Sequence, residues 1–266
     1  MDSSVIAFIT ALMTLTHGTE IPDKGFFTAD DGTLYIDGQA YHMTFDDEFD
    51  GNELDPSKWE RCPQQHRQDM DNYWDDSMSY VDGGCLIIAI DKTGERYISG
   101  GVRTKGRFEQ AYGYYEICCS VNTIPGYWTA FWLHNDSVAN ESGGGRNGTE
   151  IDIYESPYCE QKQIQHTLHW DGYGAAHRSE GKTVDADVYD GKFHTFGLLW
   201  TEEEYVFYID GRESWRTDAK AAQGTCEVPL YIKVTAETGS WVDIPDEERL
   251  PDSMKADYVR VYARGK

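Results

Sequence analysis

The stretch Gly148-Thr-Glu-Ile-Asp-Ile-Tyr-Glu-Ser156 sets three carboxylates within six residues, Glu150, Asp152 and Glu155, with Ile, Ile and Tyr between them. Ile and Tyr favour strands. On a regular strand the side chains alternate, so Glu150 and Asp152 share one face and Glu155 falls on the other. One β-bulge at Ile153 or Tyr154 adds a residue and returns Glu155 to the acidic face. Glu150 and Glu155 then stand about four strand steps apart, roughly 13 Å between backbones at ~3.3 Å per residue. Acidic triplets in so acidic a chain also mark solvated strand faces, and spacing alone does not separate the two readings.

Working outward, the neighbouring segments read as strands. Gly126-Tyr-Trp128-Thr-Ala-Phe-Trp132-Leu133 precedes the acidic stretch, with Trp128 and Trp132 four apart and so on one strand face. Ile164-Gln-His166-Thr-Leu168-His169 follows it. There Ile164, His166 and Leu168 share one face, and Gln165, Thr167 and His169 the other. His134 to Gly148 is polar and Gly-rich, hence a loop, and carries N-x-S/T sequons at Asn135, Asn140 and Asn147. Gly83-Gly-Cys-Leu-Ile-Ile-Ala-Ile is an apolar run of the kind buried in a sheet. Short strands at roughly 8–12-residue spacing between turn signals predict an all-β sandwich.

Composition narrows the partners. The 266 residues fit one large all-β domain over 26–266. The segment 1–25 reads as a leader, with a short apolar run and no preceding basic residues, as in a degenerate signal peptide. That run is too short to span a bilayer, and a secreted or cell-surface monomer is the expectation. With 47 acidic against 23 basic residues the net charge is −24, which disfavours nucleic acid and favours a neutral polymer. Aromatics make up 14%, which suits sugar-stacking surfaces as well as cores. Six cysteines show no metal-ligand spacing, and disulfides and free thiols both stay open.

The acidic stretch resembles the active-site strand of glycoside hydrolase family 16 in its bulged E-x-D-x-x-E form. Further segments resemble that family in sequence order: Phe45-Asp-Asp-Glu48-Phe49-Asp-Gly51 with Leu54-Asp55 and Trp59, Ser99-Gly-Gly-Val-Arg103-Thr-Lys105, Trp128-Thr-Ala-Phe-Trp132, Phe193-His-Thr-Phe196, Gly239-Ser-Trp241 and Met254-Lys-Ala-Asp257-Tyr-Val-Arg260. The likeness runs from about Phe45 to Tyr262.

The resemblance implies a β-jelly roll with an open concave cleft and a retaining endo-glycanase that needs no organic cofactor. Such enzymes hold their two carboxyl groups ~5–5.5 Å apart. Glu150 would then be the nucleophile, Glu155 the acid/base, and Asp152 their electrostatic and proton partner. Trp128, Trp132, Trp241, His169 and Arg103 would meet the polysaccharide, with His169 beside Glu155 or the substrate. Trp170 and Tyr173 offer a further sugar platform. Asp257 corresponds to a structural Ca²⁺ ligand in relatives, and Glu48 is expected to be structural. A neutral β-1,3- or mixed β-1,3/1,4-glucan is the expected substrate, with an agarose-, keratan- or mucin-like galactan as the alternative. A lectin-like binding module is the reading of a different class.

Overall fold

The computed structural model describes residues 23–67 and 72–265, so the apolar run of the leader lies outside the described residues. Two antiparallel sheets face each other. The first has seven strands in the order Arg178–Asp185, Gln163–Trp170, Glu150–Tyr158, Trp128–His134, Tyr231–Glu237, Gly101–Arg103 and Glu60–Arg61. The second is built around Gly113–Ser120 and the long closing strand Asp252–Arg264, flanked by His194–Trp200 and Cys85–Thr93. Asn72–Trp74 against Arg96–Ser99 is a parallel pair within it. The expected all-β jelly-roll sandwich is the observed one.

The core lies between the sheets because each strand turns its apolar alternates inward. Phe131, Leu133, Ile151, Ile164, Leu168 and Val234 come from the first sheet and Ile117, Phe196, Leu198, Val259 and Val261 from the second, all fully buried. Full burial of one such side chain contributes roughly 1.5–3 kcal/mol. Phe45, Phe49 and Trp59 join the same core, with the Trp59 indole donating to Asp47 at 2.8 Å. Glu48 is structural as expected: both its oxygens accept from Arg260, at 2.7 and 2.8 Å. Cys85, Cys118, Cys119, Cys159 and Cys226 are thiols outside any disulfide. Burial pushes the Cys119 thiol up to about 12.

Where the inward alternates face the core, the outward ones of the first sheet form a continuous polar and aromatic surface. Glu150, Asp152, Glu155, Trp128, Trp132, Lys233, Thr235, Glu237, Gln165, Thr167 and His169 lie on it, as the cross-strand register requires.

Candidate active site

The bulge is at Ile153. Along the neighbouring strand, Ala130 opposes Glu155, Phe131 opposes Tyr154 and Trp132 opposes Asp152, which leaves Ile153 as the extra residue. Its physical cause is visible in the core. Ile153 and Tyr154 are consecutive yet both fully buried, and Tyr154 packs its ring 4.2 Å from that of Phe196. Two adjacent side chains turn inward, so Asp152 and Glu155 both turn outward. His166 secures the distortion from behind by donating from Nδ1 to the Ile153 carbonyl at 2.7 Å. Its Nε2 accepts from Ser214 at 3.0 Å, which fixes the tautomer. Burial holds the His166 imidazole down to about 4, so it stays a neutral donor.

Ser156 anchors the far side of the acidic strand. Its hydroxyl accepts from the Thr129 amide at 2.9 Å and meets Asn122, whose amide nitrogen bonds the Ile124 and Tyr127 carbonyls. This buried network fixes the backbone beside Trp128 against that beside Glu155. At the near end, Gly148 passes so close to Ser137 that a Cβ would sit 2.5 Å from its carbonyl carbon. Only glycine lets the Gly-rich loop pack there and deliver Glu150 to the strand.

The three carboxylates sit in a shared low-dielectric environment. Burial first, then the charge of Asp152, raises Glu150 to about 7. Burial and the charges of Asp152, Glu150 and Glu237 push Glu155 well above the carboxylate range, while the Trp128 indole N–H offsets part of this by bonding its ionised form. Crowded acids cannot all ionise together, so a proton is retained in the cluster near neutrality. His169 stands opposite Glu150, not Glu155, and its Nε2 lies 3.3 Å from Asp152 Oδ2. Burial alone would lower the His169 pKa, but the bond to Asp152 and the Asp152 and Glu150 charges raise it. Its Nδ1 meets His177 Nε2 at 2.9 Å. The expectation that His169 neighbours Glu155 is therefore corrected: the bulge shifts the register so that Gln165 faces Glu155.

The aromatic residues divide. Trp128 stacks on Trp241, with ring centres 5.0 Å apart and 27° between planes, and Trp241 is 40% exposed. These two form an open indole surface beside Glu155. Trp132 is instead 7% exposed, covered by the Lys233 ammonium 3.5 Å from its ring centre, with its indole N–H given to Thr235 at 3.0 Å. Arg103 lies on the same face but binds Glu60 at 2.6 Å. Tyr173 reaches back to donate to Glu150 Oε2 at 2.5 Å, and His134 lies 3.7 Å from the same oxygen. Those two contacts and the His166 bond were not legible in the sequence, because each joins residues far apart in the chain.

Glu150, Asp152 and His169 offer ligand atoms within 4.8 Å of one another, the one such group found among the described residues. Each is already engaged, His169 with Asp152 and Glu150 with Tyr173, and the cluster reads as a proton-sharing group. Asp257 lies exposed on the other sheet and, among the described residues, belongs to no converging group of three such side chains.

Comparison with known proteins agrees with this geometry. The family described as "Beta-porphyranase A-D, GH16 domain" matches residues 41–264. An endo-1,3-1,4-beta-glycanase, ExsH of Rhizobium meliloti (strain 1021), is 30% identical over 177 residues, covering 66% of this chain and 36% of that protein. The chain thus spans little more than a third of that relative's length. A beta-glucanase of Rhodothermus marinus is 27% identical over 243 residues, covering 84% of this chain and 85% of the relative. The laminarinase catalytic domain of Thermotoga maritima MSB8 superposes with a TM-score of 0.71 at 27% identity, covering 85% of this chain and 99% of that one. With its acidic strand bulged at Ile153 and the family match spanning nearly the whole sandwich, the chain belongs to glycoside hydrolase family 16.

Proposed function

We propose that this protein is a retaining endo-β-glycanase that hydrolyses a neutral β-1,3- or mixed β-1,3/1,4-glucan. The observation that carries the reading is the bulge, which gathers Glu150, Asp152 and Glu155 on one buried polar face beside an indole surface. In the first step Glu150 attacks the anomeric carbon as the glycosidic C–O bond breaks, and Glu155 gives its proton to the leaving oxygen. Glu155, now ionised, takes a proton from water, and the hydroxide oxygen displaces Glu150 from the anomeric carbon. The raised pKa of Glu155 keeps it protonated for the first half, and the loss of the Glu150 charge on glycosylation makes its own ionisation easier for the second. Asp152, held by His169, is the neighbour whose charge couples the two. Trp128 and Trp241 offer flat faces for the apolar sides of pyranose rings.

The glucan choice draws on the named activities of the R. meliloti and R. marinus relatives and on the acidic surface. A galactan substrate is the second reading, favoured by the porphyranase description of the matching family. A polymer of either kind is met outside the cell, which supports secretion or surface display. A lectin-like role would leave the buried, mutually repelling carboxylates without a purpose, since burying them costs stability.

The test is product analysis by mass spectrometry after incubation with laminarin, mixed-linkage glucan, agarose, porphyran, keratan and mucin O-glycans, with Glu150→Gln as blank. Oligosaccharides from laminarin or mixed-linkage glucan, first released as β-anomers and absent with the variant, support the proposal. Galactose-terminated products alone move the enzyme to the galactan reading, and binding without products favours the lectin.

A further inference from the structure

The loop after the Gln163–Trp170 strand does more than close a turn. Asp171 and Gly172 both take positive φ, 59° and 75°, and reverse the chain sharply. The Gly-rich loop before Glu150 braces that reversal: the Gly172 amide donates to the Val138 carbonyl at 2.8 Å, and Asp171 Oδ1 accepts from the Gly144 amide at 3.2 Å. A side chain at Gly172 would press on Glu141, 3.3 Å from its Cγ. The result aims Tyr173 back at the acidic strand. Tyr173 as a residue is 57% exposed, yet its hydroxyl sits 2.5 Å from Glu150 Oε2 and 3.2 Å from His134 Nε2.

The donor directions are fixed by elimination. An ionised Glu150 only accepts, so the Tyr173 proton points at it. The Tyr173 oxygen then accepts from His134 Nε2–H. In the neutral ring His134 Nδ1 has no proton, and it accepts from the Tyr231 hydroxyl at 2.8 Å. His134 and Tyr231 are cross-strand neighbours, so this last link is set by sheet register. Burial, then the Lys233 charge, holds the His134 imidazole down to about 3, so the ring stays neutral. Every hydroxyl and ring nitrogen in the chain Tyr231, His134, Tyr173, Glu150 has one assigned role.

We propose that Tyr173 is a further catalytic residue, donating its hydroxyl proton to the Glu150 carboxylate, and that His134, itself oriented by Tyr231, is the positioning residue that aims it. This rests on Glu150 being the nucleophile. The bond stabilises the ionised carboxylate that must attack, and it releases as the carboxylate oxygen becomes an ester. Asp152, His169 and Lys233 also act on Glu150, and Asp136, Lys105 and Arg103 on His134, so the hydroxyl is one contribution among named charges.

The test is Tyr173→Phe, which keeps the ring and removes the hydroxyl. Carboxyl-¹³C glutamate NMR, with the Glu150 resonance assigned by its loss in Glu150→Gln, reads the Glu150 titration without substrate. The midpoint is expected to rise by about one to two pH units. On laminarin the acid limb of kcat/KM is expected to move the same way, with kcat below the limb falling about 10-fold or more and KM within about twofold. His134→Phe should shift the midpoint in the same direction, and the double variant should add nothing to Tyr173→Phe. An unmoved midpoint and acid limb in Tyr173→Phe, with Tyr173→Ala only raising KM, would overturn the proposal and leave Tyr173 as a sugar platform. Silence on laminarin defeats the glucan reading alone, because the NMR titration still decides this one.

Discussion

His166 donates to the carbonyl of Ile153 at 2.7 Å, and so ties a side chain of one strand to the bulged residue of the next. A bulge leaves a backbone group without its ladder partner, and an unpaired buried carbonyl costs about 1–3 kcal/mol. We expect His166→Leu to lower stability by about that amount in urea unfolding. Activity per folded molecule should fall as well, because Glu155 loses the register that turns it outward. His166→Asn, whose amide nitrogen can stand where Nδ1 stands, should recover part of both. Equal stability and rate in the Leu and Asn variants would show that the bulge holds itself.

Glu155 should be a stability liability above neutral pH. Its folded pKa lies well above the ordinary 4.5, first through burial and then through Asp152. Below about pH 4 the carboxyl is protonated in both folded and unfolded chains and costs nothing through this term. Above about pH 4.5 the unfolded chain ionises while the native carboxyl keeps its proton, so the cost grows with pH and is complete above the folded pKa. Glu155→Gln should therefore melt higher than the parent at pH 8 and level with it at pH 4. A shift of about 2–4 °C corresponds to each ~1 kcal/mol in a chain near this length. The same variant should lose about 10²–10⁴-fold in kcat on substrates with a poor leaving group. A melting difference that stays constant from pH 4 to pH 8 would contradict the buried-charge account.

Much of this was readable from residues that act over short range. The bulge followed from Glu150, Asp152 and Glu155 being spaced by Ile and Tyr, whose burial then forced Ile153 and Tyr154 inward. Trp128 and Trp241 were each expected at the cleft through the family likeness, and Glu48 as structural, but the stacking of the two indoles was not legible. The failures share one cause, which is register across strands. His169 was expected by Glu155, but the antiparallel register sets it opposite Glu150 and within reach of Asp152. Trp132 lies on the expected face, but the sequence did not show that its cross-strand partner Lys233 sits over its ring. Tyr173 meets Glu150 23 residues back and His134 39 residues back, and no local pattern encodes such meetings.

Trp128 and Trp241 should act on binding more than on rate. Their rings stack 5.0 Å apart, and each aromatic contact contributes about 0.5–1.5 kcal/mol beyond its buried area. Trp241→Ala is expected to raise KM on a soluble glucan by roughly 3–10-fold with little change in kcat. Trp128→Ala should do the same and also lift the Glu155 pKa, because the indole N–H that favours the ionised form is gone. Its basic limb in kcat/KM should thus move upward while that of Trp241→Ala stays in place. Identical pH profiles for the two variants would remove Trp128 from the acid/base environment.

Asp152 couples the two glutamates, and neutralising it should move both of their titrations the same way. Its negative charge raises Glu150 and Glu155 together, after burial in each case. Asp152→Asn removes that repulsion, so both carboxyls ionise more easily and both limbs of the kcat/KM profile shift to lower pH, by about one unit. On the acid side the variant gains ionised Glu150, and on the basic side it loses protonated Glu155 earlier. Glu150 titrates near neutrality while Glu155 keeps its proton, so near pH 7 the gain of ionised Glu150 offsets part of the loss, and on the basic side nothing offsets it. The rate should therefore drop further on the basic side than at neutral pH. His169 loses its charged partner in the same change, so its imidazolium should also release its proton at lower pH. Profiles recorded from pH 4 to pH 9 on laminarin or mixed-linkage glucan separate this from a simple loss of activity. A reduced rate with both limbs unmoved would mean that Asp152 holds His169 and nothing more.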